Sequence, residues 1–320
     1  MKKILLFLSV VVTSILLLAS CSDEKYDIVV TNFVGYDAAR AVTKDTDKNI
    51  KMLIKPANDI HSYQPSATDI KAVLNCDLFI YIGGESDSEW VEEKILGNED
   101  AKKKALSMFS ILEGSLYEEE EDHDEEEHEH EEEIEYDEHV WTDPTNYIKI
   151  VNAVSKRLSS IDSDNKDKYE ANASAYVKSL TDLDNNMKDA IQSTNKGSIV
   201  VADRNPFLYF KKHYGIEVIG ALAGCSSDKN VPTSKIVSLK NSVETNQLKA
   251  IFIIELSDGN IAEAVKREIS NDIKNSSYNG SEVSVELLYS MQNISADDFN
   301  NGKTYLDMFS HNVEVIKKIN

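Results

Sequence analysis

Histidines and carboxylates are concentrated between Glu118 and Glu138, where the chain reads EEEEDHDEEEHEHEEEIEYDE. Sixteen of these twenty-one residues are Asp or Glu, and three, His123, His128 and His130, are His. Interleaved imidazole nitrogens and carboxylate oxygens offer ligand pairs at many spacings, which suits zinc and other borderline divalent ions in loose, exchangeable coordination. With almost nothing apolar to bury, the tract is expected to be a mobile loop. An acidic solvated tract with incidental histidines is the alternative. The tract runs straight into His139-Val-Trp-Thr-Asp143-Pro144. There Asp can cap a helix and Pro can occupy its first turn, which would hold His139 just ahead of a helix start.

Further donors sit after short β-branched and aromatic runs. Such runs occur at Ile28 to Val30, Met52 to Ile54, Leu78 to Ile82, Ile199 to Ala202, Ile251 to Ile254 and Val283 to Leu288. Separated by helix-length segments, they argue for parallel α/β units in both halves of the chain. Between the halves, Tyr169, Tyr176, Leu180, Leu183, Met187 and Ile191 recur at helical spacing with no internal Gly or Pro, the pattern of one long helix. Tyr305, Met308, Phe309, Asn312, Val313 and Ile316 mark an amphipathic closing helix. The expected architecture is therefore α/β: two lobes, each a parallel sheet flanked by helices, joined by a long rigid helix, with a cleft between them. The expected bounds are 22–162 for the first lobe, 163–192 for the linking helix and 193–320 for the second lobe. Ligands of open parallel sheets bind beyond the carboxyl ends of the strands. There the sequence places His61 after the second run, Asp203 and Glu255 directly after the fourth and fifth, and Ser290 after the last. Each also has a local reading: His61 as a capping side chain, Asp203 as a partner of Arg204, Glu255 as a cap for the helix near Asn260.

Three hundred and twenty residues suffice for two lobes with a core in each. The formal net charge of −22 falls to −6 when the sixteen acids of the tract are set aside, and no Lys/Arg stripe offers a nucleic-acid surface. Residues 1–20 read as a secretory signal, with Lys2 and Lys3 ahead of an apolar run from Ile4 to Ala19. Leu18-Ala19-Ser20-Cys21 resembles a bacterial lipobox, which would make Cys21 the lipidated first residue of the mature chain, held at the membrane by acyl groups. Cys76 reads as a small buried hydrophobe and Cys225 as a loop residue; their spacing is neither a zinc nor a redox motif.

Two segments carry a family resemblance. Asn58-Asp59-Ile60-His61-Ser62-Tyr63-Gln64-Pro65-Ser66 looks like Gly-x-Asp-Pro-His-x-Tyr-Glu-Pro-Thr, and Asp137-Glu138-His139-Val140-Trp141-Thr142-Asp143-Pro144 is similar to Asp-Pro-His-Val-Trp-Leu-Asp-Pro. Both belong to the solute-binding lipoproteins of bacterial zinc and manganese ABC importers, and the resemblance covers essentially the whole mature chain. It implies His61 and His139 as metal ligands, and an acidic His-rich loop is typical of the zinc-specific members. The chain departs from the pattern at Ala202-Asp203-Arg204-Asn205-Pro206-Phe207, where Arg204 aligns with a usual ligand, and at Tyr289-Ser290-Met291-Gln292, where the weak donor Ser290 replaces an acid. Both variants resemble a clostridial-type branch of the family. Arg cannot bind a cation, so Asp203 and Glu255 are the expected substitutes, with Arg204 and Ser290 behind them. In the empty cleft Arg204 is expected to pair with Asp203 or Glu255.

The implied function is capture of Zn2+, with Mn2+ the alternative, on the extracytoplasmic face of the cell membrane. The implied partners are a permease and its ATPase; the protein itself is expected to be a monomer. Two further readings use the same donors: a metal-binding adhesin or scaffold lipoprotein without transport, and a secreted metal-dependent hydrolase. The sequence contains no HExxH helix or nucleophile elbow, so an enzyme is not the expectation.

Overall fold

The computed structural model describes residues 25–119, 135–224, 231–272 and 283–320. Cys21, His123, His128, His130 and Cys225 lie outside the described residues. Two four-stranded sheets are present. The first comprises β1 (Ile28–Val30), β2 (Ile50–Met52), β3 (Leu78–Tyr81) and β4 (Ala105–Ser107), in the order β2-β1-β3-β4. The second comprises β5 (Ser198–Asn205), β6 (Glu217–Ala223), β7 (Ala250–Ile253) and β8 (Ser284–Leu287), in the order β6-β5-β7-β8. Every neighbouring pair is parallel. The winding order is thus the same in both lobes, reversing between β1 and β3 and again between β5 and β7. Parallel strands covered on both faces are continuously apolar, as in Ile28-Val29-Val30, all buried.

The sequence runs foreshadow six strands. The second is displaced: β2 ends at Met52, and the remainder of its run extends the pairing, with the Leu53 and Ile54 amides donating to the carbonyls of Val30 and Thr31 at 2.9 Å each. The edge strands β4 and β6 are not foreshadowed. β4 is only three residues long, and β6 contains Gly220, a residue depleted in strands. A Cβ at Gly220 would come within 2.4 Å of the Asn205 Cβ, so only glycine lets β6 lie against β5 there.

Helices cover the sheets. In the first lobe α1 (Phe33–Val42) is capped by Asn32, whose side chain accepts from the Gly35 amide, and α2 (Ala67–Asn75) opens on a Ser66/Asp69 capping box. Next, α3 (Pro144–Ile161) begins with Asp143 accepting from the Thr145 amide and Pro144 in its first turn. A 3-10 turn at Ser163–Asn165 leads into α4 (Lys166–Thr194), a 29-residue helix ended by Asn195 in the left-handed conformation. The second lobe adds α5 (Leu208–Tyr214), α6 (Thr233–Thr245), α7 (Asn260–Asp272) and α8 (Tyr305–Ile316).

Among the described residues three apolar clusters result. One lies on the outer face of the first sheet, around Val29, Phe79 and Trp90, and a second on the outer face of the other, around Val200, Ile251 and Val265. The largest is common to both lobes: it runs from Ile28 and Val30 through Tyr147, Tyr169 and Leu180 to Val201, Phe252 and Phe309. Helices α3, α4 and α8 supply much of it, so the lobes are joined by buried core as well as by the linking helix. Among the described residues no helix is long and apolar enough to cross a membrane.

Candidate metal centre

His61 sits on a single 3-10 turn, Ile60–Ser62, reached from β2. Asp59 caps that turn, its Oδ1 accepting from the His61 amide at 3.1 Å. Its Oδ2 takes the Nη1 of Arg204, at the end of β5 in the other lobe, at 2.9 Å. The Ala57 amide also crosses to the other lobe, donating to the Ile294 carbonyl at 2.7 Å. The His61 turn is therefore strapped to the second lobe at two points. Arg204 pairs with Asp59 here, not with Asp203 or Glu255.

His139 is fully buried ahead of the 3-10 turn Val140–Thr142 that precedes α3. Asp137 Oδ1 accepts from its amide at 2.8 Å and lies 3.2 Å from its Nδ1, while Nε2 is 2.8 Å from Gln292 Oε1. A histidine whose Nδ1 is held by a carboxylate presents Nε2 to a ligand, the arrangement common behind metal-bound imidazoles. Burial opposes protonation of this ring, but the Asp137 carboxylate outweighs it and raises the His139 pKa above the ordinary value.

Glu138, also fully buried, is the third member. Its Oε2 accepts from the Ser86 amide at 3.0 Å, and its Oε1 lies 3.2 Å from His61 Nδ1. That close approach is not aligned as a hydrogen bond: among the described residues, Glu138 Oε1 and both ring nitrogens of His61 lack hydrogen-bond partners. Buried polar atoms are nearly always paired, so three orphans on two neighbouring side chains require an explanation. Gly84 makes room for this carboxylate, since a Cβ there would stand 2.6 Å from the Glu138 Cβ and 2.9 Å from its Oε2. Burial pushes the Glu138 carboxyl up to about 7. Burial, reinforced by neighbouring His139, pushes His61 down to about 4, so one ring nitrogen keeps a free lone pair at neutral pH.

One donor atom each from His61, Glu138 and His139 falls within 4.8 Å of the others. Two imidazoles and a carboxylate form an N2O set that zinc accepts, with a further position open. The Gln292 side chain, already on His139, also has an unpartnered amide nitrogen.

Asp203 and Glu255 do not join this group. Glu255 is buried and its oxygens are occupied: Oε2 accepts from the Ser290 amide at 2.8 Å, and Oε1 from the Ser290 hydroxyl at 2.7 Å and the Asn293 amide at 3.1 Å. It clamps the segment that carries Gln292. Asp203 Oδ1 accepts from the Arg204 amide at 2.8 Å. Trp141 Nε1 donates to the Ser290 carbonyl at 2.9 Å, tying the His139 segment to the same loop. Sequence reasoning missed Glu138 and Gln292. The signal for Glu138 was its position beside His139, hidden among fifteen similar acids.

A family model described as zinc-uptake complex component A, periplasmic, matches residues 28–319. Among curated relatives, the chain is similar to the zinc-binding lipoprotein AdcA of Streptococcus pneumoniae strain R6, at 29% identity over 99% of this chain and 61% of the relative. It is also similar to the high-affinity zinc uptake system protein ZnuA of Bacillus subtilis, at 28% identity over 97% of this chain and 96% of that one. The chain spans about three fifths of the length of the streptococcal relative. The solved Zn(II)-bound ZnuA-like domain of Streptococcus pneumoniae AdcA shares the fold with a TM-score of 0.68 at 23% identity, covering 92% of this chain and 99% of that chain.

Proposed function

From the chain's membership of the zinc-uptake complex component A family, and from the donors in its cleft, we propose that the protein captures Zn2+ outside the cytoplasm and delivers it to a membrane permease driven by its ATPase. Zinc is the cargo, and no chemical step is required of the protein. The observation that carries this reading is the trio of buried, unpartnered ligand atoms on His61 and Glu138 beside the oriented ring of His139. Two nitrogens and one oxygen favour zinc; manganese is favoured where oxygen ligands dominate. Asp203 and Glu255 act behind the donors, the latter by fixing the loop that presents Gln292. The lipobox-like segment at Cys21 supports an acyl anchor on the outer face of the cytoplasmic membrane, whose signature is a lipid-modified Cys21 at the mature N-terminus by mass spectrometry.

Elemental analysis and calorimetry test the site. Protein purified without added metal should hold or take up one tightly bound zinc. His61→Ala or His139→Ala should each weaken it by several kcal/mol, because zinc sites of about four ligands are worth roughly 10–16 kcal/mol. Parental affinity in both variants would overturn the assignment.

A further inference from the structure

Beside the metal centre lies a second cavity, of about 270 Å³, and His61 is common to both. Its outer wall carries Glu85, Glu89 and Glu93, all exposed, and its inner wall Ser86 and Trp90. Lys94 is the only cation among its lining residues, so the chamber keeps a formal excess of two negative charges. Acidic side chains on a surface are ordinarily just solvated. Here two buried groups mark the chamber as a ligand space. The His61 side chain is 8% exposed, and among the described residues neither ring nitrogen has a hydrogen-bond partner. Trp90 is 5% exposed, and its indole N–H, which can only donate, is unpartnered as well. A hydrated cation answers both groups: its bound waters turn their hydrogens outward to the imidazole lone pair and the glutamates, and an outer water accepts from the indole N–H. At about 30 Å³ per water the volume holds roughly nine waters, enough for one hydrated divalent ion.

The chamber and the metal centre also share a wall, because the Ser86 amide that borders the chamber donates to Glu138 Oε2 at 3.0 Å. At the outer rim Glu85 approaches Glu119 and Glu135, with one carboxylate oxygen of each within 4.8 Å of the others. Those two residues are the neck of the acidic tract, where the Glu119 amide donates to the Glu135 carbonyl at 2.9 Å.

We propose that the chamber lined by Glu85, Glu89 and Glu93 is a staging site in which a hydrated divalent cation is held before His61 takes it into the metal centre. The inference rests on the metal-capture reading above and adds the route. The glutamates act through water, concentrating cations at the mouth and lowering the barrier to dehydration. His61 then replaces the first water, and Glu138 and His139 complete the transfer.

The test is stopped-flow binding of Zn2+ to the full chain, followed by tryptophan fluorescence, since the Trp141 ring lies 5.5 Å from that of His139. Dissociation is measured by transfer to excess chelator. In low salt, the triple variant Glu85→Gln, Glu89→Gln, Glu93→Gln should associate with zinc about tenfold more slowly, the lower end of electrostatic steering effects. The deficit should shrink at roughly 1 M salt, where the screening length is about 3 Å. The association rate should fall by more than the equilibrium affinity does. The single variant Glu89→Gln should show a smaller fall in the same direction, and neutralising Glu170, Glu263 and Glu314, exposed acids that do not line the chamber, should change neither rate. An unchanged association rate in the triple variant, or an equal slowing in that control, would overturn the chamber. Failure of the parent protein to bind zinc would instead refute the metal-capture reading itself.

Discussion

Glu138→Gln should raise the stability of the metal-free protein while lowering its zinc affinity, a pairing that few roles other than a buried ligand produce. In the folded chain the Glu138 carboxyl titrates at about 7 against an ordinary 4.5, because burial disfavours its charged form. Since the folded-state value is raised, folding is penalised wherever the carboxylate is ionised. The penalty is absent below about pH 4.5, grows through neutrality, and is complete above about pH 7, where it reaches roughly 3 kcal/mol. Gln keeps the shape and an oxygen for the Ser86 amide, and removes the charge. The metal-free variant should therefore match the parent near pH 5 and exceed it at pH 8 by up to about 3 kcal/mol, a rise in melting temperature of roughly 5 °C. Zinc should cancel most of that lead. Losing one of about four ligands from a site worth 10–16 kcal/mol costs about 3 kcal/mol, on the order of a hundredfold in affinity. The stabilisation by added zinc, which follows RT ln(1 + [L]/Kd), should then shrink by roughly 2.7 kcal/mol. Denaturant melts at pH 5 and pH 8, with and without zinc, read all four quantities. A variant that is less stable than the parent at pH 8 without metal, or that binds zinc as tightly, would refute the role given to Glu138.

Zinc affinity should fall as pH drops from 8 to 6, because the metal must expel protons from His139, raised by Asp137, and from Glu138 at about 7, whereas His61 at about 4 is already free. Calorimetry in buffers of different ionisation enthalpy should find about one to two protons released per zinc near pH 6.5; a flat affinity profile over that range contradicts the assignment. Arg204→Ala removes the contact that holds Asp59 under the His61 turn. The Asp59 side chain is 37% exposed, so the ion pair should add only about 0–1 kcal/mol to folding. The loss should appear instead as zinc binding about tenfold weaker, the lower end for groups that orient a ligand, with Arg204→Lys intermediate because a point charge cannot reproduce the guanidinium fork; an unaltered dissociation constant for Arg204→Ala rules out the positioning role.

The two sheets, the long helix and the closing helix were legible because their residues obey strong local rules: Ile28-Val29-Val30 and Leu78 to Ile82 are apolar without interruption, and Tyr169, Leu180 and Met187 keep helical phase over about five turns. Edge strands follow weaker rules. β6 is only partly buried and contains a glycine demanded by its neighbour, a constraint visible only in three dimensions. At the site, His61 was marked by its place after the second strand and His139 by the Asp143-Pro144 helix start behind it, and the two segments that carry the family resemblance singled out both as ligands. Glu255 and Asp203 drew attention by lying at strand ends, but a strand end supplies only a position. Which way each carboxylate turns depends on the backbone amides of Ser290, Asn293 and Arg204, none of which the linear order foretells. Glu138 needed the converse information, namely that Gly84, more than fifty residues earlier, leaves a hollow of its shape.

The buried core common to both lobes bears on how a docking partner could tell a loaded protein from an empty one. A packed interior resists gradual deformation, so filling the cleft cannot redraw the outline of the molecule as wide hinge closure would. The signal of occupancy has to be local: an altered charge at the mouth, a shifted Asp59–Arg204 contact, a reoriented Gln292 segment. A permease reading this protein would accordingly discriminate by ångström-scale detail and by sign of charge around the cleft rim, and its selectivity should be most sensitive to substitutions there.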